Sequence, residues 1–313
     1  MKDEIAVIGT TFVDCKGFAD GKTGAYQPRG RNTGHVRFVH GGVGRNVAEN
    51  LAGLGVPVTF MSTVDATPLA RDVLQRLKRS GANVDFVAEE KERGMGLWMV
   101  ILNAEGEQVG ALSHMPELKL LEKLLEEKGA ALMKRISHVA LEIDLTETIS
   151  EKVLALAEQY GRPVYALPGN LSVAMARPDF LPRFAGLICD NIEAGRLFDF
   201  NAEVLTPEEL LERIVTCVNQ RGMAMIVVTL GAAGAVYYDR ATGEKGWVPA
   251  IPTRVTDVSG AGDAFFSGTV CGLVRGKSLR EAAELGTKLA SLTIRTDENC
   301  CRAILDREKV VTV

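Results

Sequence analysis

The stretch Asp257-Val258-Ser259-Gly260-Ala261-Gly262-Asp263-Ala264-Phe265-Phe266-Ser267-Gly268 holds the residues of the 313-residue chain best suited to chemistry. Small residues here open a predicted helix, and Asp263 falls inside its first turn. Backbone N–H groups at a helix start lack intrahelical acceptors and the helix dipole is positive there, so an anion is favoured. Gly260, Ala261 and Gly262 let that anion come close to the backbone. A carboxylate opposes an anion at the same site. Asp263 becomes useful there as a base that takes a proton from a hydroxyl attacking a bound phosphate. A glycine-assisted helix start with a first-turn aspartate is the plainer alternative.

Three further groups of residues have ligand-binding character. Gly41-Gly42-Val43-Gly44-Arg45-Asn46 is a glycine-rich turn opening a helix. Gly41 and Gly42 expose backbone to a ligand, and Asn46 offers both donor and acceptor, unless the turn serves only close packing. Arg45 has two readings, toward solvent or toward a ligand. Asp14 comes shortly after the first predicted strand, where carboxylates commonly meet ligands. Val227-Val228-Thr229-Leu230-Gly231-Ala232-Ala233-Gly234-Ala235 reads as strand, glycine turn and strand.

Short apolar strands alternating with amphipathic helices must position these residues. Strands are expected over residues 5–9, 58–63, 138–141, 164–166, 186–189 and 225–229, and helices over 44–54, 68–80, 118–133 and 147–160. The alternation implies a parallel or mostly parallel sheet covered on both faces. Two extended stretches, 33–40 and the hairpin 96–113, interrupt it and are expected to form a small β-subdomain projecting over a site. Thr206-Pro207-Glu208-Glu209 and Ser278-Leu279-Arg280-Glu281 are capping boxes. Gly276-Lys277-Ser278 resembles the end of a Walker A loop, but the first glycine of that motif would fall on Cys271, so the cap reading is preferred. No Gly-x-Gly-x-x-Gly fingerprint occurs.

Composition narrows the function classes. A hydrophobic content of 46% and a mean hydropathy of +0.07 supply a sizeable core. A net charge of −4 argues against a nucleic-acid or anionic-membrane partner. Met1-Lys2-Asp3-Glu4 leads directly into a short apolar run, so neither a signal peptide nor a membrane span is expected. The six cysteines form no Cys-x-x-Cys and read as reduced thiols of a cytoplasmic protein. His35, His40, His114 and His138 lack metal-ligand spacing.

The Asp257–Phe265 and Gly41–Ala48 motifs resemble the C-terminal and N-terminal signatures of the ribokinase-like, or PfkB, carbohydrate kinases, in the right order and at opposite ends of the chain. The resemblance implies an α/β fold, a three-layer α/β/α sandwich in one domain spanning 1–313, with a small β-sheet lid from about 31–40 and 96–114. It implies ATP and Mg2+ as cofactors, with room for K+, a sugar or nucleoside acceptor, and a homodimer through the lid. Asp263 would be the base, with Gly260, Ala261 and Gly262 as anion hole. Asp14, Gly41, Gly42 and Asn46 would bind the acceptor. Thr229, Gly231, Gly234 and Asp257 would border ATP. Glu193 would organise magnesium-bound water, with Asp190 as a further carboxylate where the family has Asn, and Asn191 one residue off. Within the family the chain is most similar to pseudouridine kinases, through Asp14-Cys15-Lys16-Gly17, Asn32-Thr33-Gly34-His35-Val36-Arg37, 41–54 and the hairpin 100–115. Phe12, Asp144 and Leu167-Pro168-Gly169-Asn170 depart from that pattern on the substrate side. Phosphorylation of pseudouridine to its 5′-phosphate is therefore the first expectation. A simple sugar kinase for ribose, fructose or a relative is the alternative, and a non-catalytic sugar- or nucleotide-sensing relative the third.

Overall fold

The computed structural model describes residues 4–22, 25–105, 107–143, 145–169 and 171–301. Its first strand, β1 (Ile5–Ile8), is buried at all four positions. Successive strand residues point to opposite faces, so burial of every position means a sheet covered on both sides. Ile5 and Val7 enter one core, and Ala6 and Ile8 the other.

β2 (Phe12–Ala19) and β3 (Gly34–Gly41) turn away from β1 into a second sheet, completed by β6 (Gly96–Leu102) and β7 (Gln108–His114) in the order β3-β2-β6-β7. The main sheet takes β4 (Val58–Asp65) and β5 (Asn83–Glu90) on one side of β1. On the other it takes β8 (His138–Glu142), β9 (Val164–Leu167), β10 (Gly186–Asp190), β11 (Met225–Thr229), β12 (Ala235–Asp239) and β13 (Lys245–Val248). All neighbours pair in parallel up to β11, and β12 and β13 close that edge antiparallel.

Helices α1 (Val43–Gly53), α2 (Pro68–Ser80), α8 (Ala261–Val274) and α9 (Leu279–Thr293) pack into the core that holds Ile5 and Val7. On the opposite face lie α3 (Lys119–Arg135), α4 (Glu147–Tyr160), α5 (Ser172–Ala176), α6 (Asn191–Phe198) and α7 (Pro207–Arg221). The result is the expected α/β/α sandwich with a second, small sheet.

Thr206 and Ser278 both make the expected capping boxes, so Gly276-Lys277-Ser278 ends one helix and starts the next. All six cysteines are free thiols. No helix among the described residues is long and apolar enough to cross a membrane. Three strands were not anticipated. β2 carries Asp14 and Lys16 on one face, β5 reads Asn-Val-Asp-Phe-Val-Ala-Glu-Glu, and β13 is only Lys-Gly-Trp-Val, so none shows an apolar run.

Candidate active site

A cavity of about 540 Å³ lies where the ends of β1 and β8, the starts of α1 and α8, and the small sheet converge. Asp14 lines it from β2. It follows β1 by a few residues, as expected, but as a strand residue of the small sheet. The side chain is 6% exposed, and its Oδ2 accepts a 2.5 Å hydrogen bond from Asn299 Nδ2. Burial raises the Asp14 carboxyl above its ordinary range, against the opposing pull of Asn299, Lys16 and Arg45. A Cβ on Gly41 would collide with the Asp14 carboxylate, and Gly42, the N-cap of α1, has φ 92° with backbone of 10–12 against it. Both glycines are thus required by close approach.

Asn46 Nδ2 donates to Asp263 Oδ2 at 2.6 Å, across 217 residues of sequence. Arg45 points neither to solvent nor into the cavity. It is 1% exposed, its Nη1 donates to Glu49 Oε2 at 2.6 Å, and its Nη2 donates to His40 O and Asn46 Oδ1. With Oδ1 taken by Arg45, the Asn46 amide is left to present Nδ2 to Asp263. Burial pushes the Asp263 carboxyl up to about 7. The Asn46 bond and Arg45 oppose that rise, while Glu142 and Asp14 add to it. Glu142 accepts from Thr10 N at 2.7 Å and Gly44 N at 3.2 Å, and so ties the loop after β1 to the start of α1.

On the other side of α8 lies a cavity of about 600 Å³, bordered by Thr229, Gly231, Gly234, Ala261 and Gly262, with Ile251, Val255, Phe265 and Ile294 as apolar wall. Gly260 is the N-cap of α8 with φ 75°, and no side chain caps the helix. A Cβ on Gly260 would strike the backbone of Asn299, whereas one on Gly262 would meet nothing within 4 Å. Asp257 is not among the residues bordering this cavity. Its Oδ2 takes Lys16 Nζ at 2.6 Å, and its Oδ1 accepts from Ser259 N at 2.8 Å.

A smaller cavity of about 120 Å³ is bordered by Asp190, Glu193, Gly262 and Asp263, sharing Asp263 with the first cavity and Thr229, Gly262 and Phe265 with the second. Asp190 and Glu193 form a capping box on α6: Glu193 N donates to Asp190 Oδ1 at 2.7 Å, and Asp190 N to Glu193 Oε2 at 2.8 Å. Local helix capping therefore accounts for Asp190 standing at this position, and Asn191 begins the helix behind it. Asp190 and Glu193 offer carboxylate oxygens beside this cavity, the donor type that Mg2+ takes in ones and twos while keeping several waters and sharing substrate phosphate oxygens.

The structure thus brings together Asp14, Gly42, Asn46, Gly260 and Asp263 on one cavity, Thr229, Gly231, Gly234, Ala261 and Gly262 on the second, and Asp190, Glu193, Gly262 and Asp263 on the third. Asp144 and Asn170 lie outside the described residues. Polar residues that escaped the reading of the sequence as site residues include Thr10, Lys16, Glu142 and Asn299, and apolar ones include Trp98, Met115, Leu118 and Leu145. Lys16 shares a face with Asp14 only on a strand, and β2 was not anticipated. Asn299 had no signal, being 285 residues from its partner.

The description of the pfkB family carbohydrate kinases fits residues 2–301. The guanosine-inosine kinase of Exiguobacterium acetylicum is 37% identical over 297 residues, covering 95% of this chain and 96% of the relative. The pseudouridine kinase of Escherichia coli (strain K12) is 25% identical over 293 residues, covering 94% and 91%. The structure of Arabidopsis thaliana ribokinase complexed with ribose and ATP superposes with a TM-score of 0.78 at 19% identity, covering 98% of both chains. The fold is therefore ribokinase-like, the enzyme is a phosphotransferase acting on an alcohol group, and the chain belongs to the pfkB family of carbohydrate kinases.

Proposed function

We propose that the protein transfers a phosphoryl group from ATP to a primary hydroxyl of a nucleoside, with guanosine and inosine as its first acceptors. The observation that carries this reading is the mixed lining of the cavity beside Asp263. Polar Asp14, Asn46 and Asp263 border it together with apolar Phe12, Trp98, Met115, Leu118 and Leu145. Its volume of about 540 Å³ falls among pockets that hold drug-sized ligands. A sugar suits the polar groups, and a base gives the apolar side chains something to bury. The 37% identity to a guanosine-inosine kinase favours a purine base. Pseudouridine becomes the second reading, supported by its 25% identical relative and by the likeness around Asp14 and the hairpin. A simple sugar would leave much of the apolar lining unused.

In this reading Asp263 takes the proton of the attacking hydroxyl. The amides of Gly260 and Gly262 hold the charge that develops on the transferred group, and the Ala261 amide joins them on leaving Val258 O, to which it donates at 3.2 Å. Asp14, Gly41, Gly42 and Asn46 orient the acceptor, while Thr229, Gly231 and Gly234 border ATP, and Asp257 fixes the turn that precedes the anion hole. Mg2+-ATP, when bound, would supply the phosphoryl group and its countercharge, and Glu193 and Asp190 would hold the metal through water. The small sheet covers the cavity, so that water does not compete with the hydroxyl. Its outer face exposes Val36, Phe38, Met99 and Leu112, which suits the homodimer.

The test is an acceptor panel. Purified protein with Mg2+-ATP is offered guanosine, inosine, pseudouridine, ribose and fructose, with ADP release measured and the product identified by mass spectrometry. The highest kcat/KM is expected for a purine nucleoside. Preference for pseudouridine would exchange the two nucleoside readings, and preference for ribose or fructose would remove both.

A further inference from the structure

Lys16 is among the largest fully buried side chains of the protein, at 2% exposure. It leaves the small sheet from the same face of β2 as Asp14. Its ammonium reaches across to the main body, 2.6 Å from Asp257 Oδ2 and 3.0 Å from Asn299 Oδ1. The other end of the Asn299 amide donates to Asp14 Oδ2 and, at 3.1 Å, to His40 O. Asp257 Oδ1 in turn accepts from Ser259 N, the residue before the N-cap of α8.

An unbroken polar chain therefore runs from the acceptor cavity to the phosphate turn: Asp14, Asn299, Lys16, Asp257, Ser259. A buried ion pair is weak evidence for stability, because desolvation offsets much of the attraction. Here it joins three segments far apart in sequence and touches both sites.

We propose that Lys16 and Asn299 are positioning residues that couple the acceptor site to the ATP site. An acceptor engaging Asp14 fixes the carboxylate, the Asn299 amide and the Lys16 ammonium in one arrangement. That arrangement holds Asp257 and the turn into Gly260 ready for phosphate. By linkage, ATP tightens the acceptor by the same factor. The inference rests on the functional reading above.

The alternative is a static clasp that merely attaches the small sheet. Thermal stability does not separate the two, because removing the pair lowers it in both cases. Cross-affinity does. Calorimetry on the full chain would measure binding of a non-hydrolysable ATP analogue with Mg2+, with and without saturating guanosine. In the wild type guanosine should tighten the analogue by about 5- to 150-fold, the usual range of coupling between sites. In Lys16→Met and in Asn299→Ala that factor should fall close to one, while the analogue alone still binds. If Lys16→Met does not fold, Asn299→Ala, which removes no charge, answers the question. A wild-type factor of one, or a folded variant that keeps the wild-type factor, overturns the coupling. Failure of the functional reading looks different: no acceptor in the panel is then phosphorylated.

Discussion

Asp263 faces opposing demands at the scale of a single residue. Burial lifts its carboxyl to about 7, and the hydrogen bond from Asn46 keeps it from rising further. A base must be unprotonated, so kcat/KM should fall tenfold per unit as pH drops below about 7, the value of the free enzyme. Asp263→Asn should lose on the order of 10²–10⁴-fold or more in kcat while still binding ATP, since the anion hole is backbone. The same burial has a thermodynamic signature. The folded-state value lies above the ordinary 3.8, so the folded protein holds this proton more tightly than the unfolded chain. Stability is then lost through this group as pH rises from about 4 to about 7. Asp263→Asn removes that cost, and its melting temperature should exceed the wild type's at pH 8, with the gap narrowing toward pH 5. A variant less stable at pH 8 would show that the ionised carboxylate is well solvated in the folded state. Near-normal turnover would take Asp263 out of the mechanism.

Elements separate glycines that look alike in the sequence. Gly260 and Gly262 both open α8, but only Gly260 has a positive φ, and only its Cβ would meet backbone, that of Asn299. Gly262 faces open space. Gly260→Ala should therefore destabilise the fold, by strain and by pushing 299 away. Gly262→Val should leave the circular dichroism spectrum and melting temperature near wild type while turnover collapses, because its methyl groups project where the phosphate approaches. Unfolding of Gly262→Val would return this glycine to a purely structural role. The start of α8 was legible because its chemistry is local: small residues, then a carboxylate, within a few positions. The same holds for α2 and α4, whose bounds follow from a Thr cap and a closing Gly. β2 was not legible, because its inner face is polar: Asp14 and Lys16 are satisfied only by Asn299 and Asp257, more than 240 residues away. Asp190 and Glu193 show the converse. Their spacing is explained first by a helix cap, and any metal role is added to it.

At the scale of the whole molecule, the small sheet is the part most open to ligand control. Cross-strand register places Asp14 opposite Trp98 on β6, and Trp98 opposite Ser113 on β7, and all three border the acceptor cavity. β7 is an edge strand, paired only with β6, and most of its residues are exposed. Amides in such a strand open at low cost and exchange readily. A ribose bound at Asp14 and Asn46 meets this sheet chiefly through Asp14 on β2. A nucleoside places its base beyond the sugar, against Trp98 and Met115, and so loads β6 and β7 directly. Guanosine should therefore slow hydrogen exchange of the 96–114 amides strongly, pseudouridine measurably and ribose weakly. Trp98 is a convenient optical reporter of the same event. Exchange followed by mass spectrometry at saturating ligand would decide it: strong protection by ribose or fructose, with none by any nucleoside, would mean that no base packs on the apolar side chains of the cavity in the working complex, and the acceptor would then be a simple sugar.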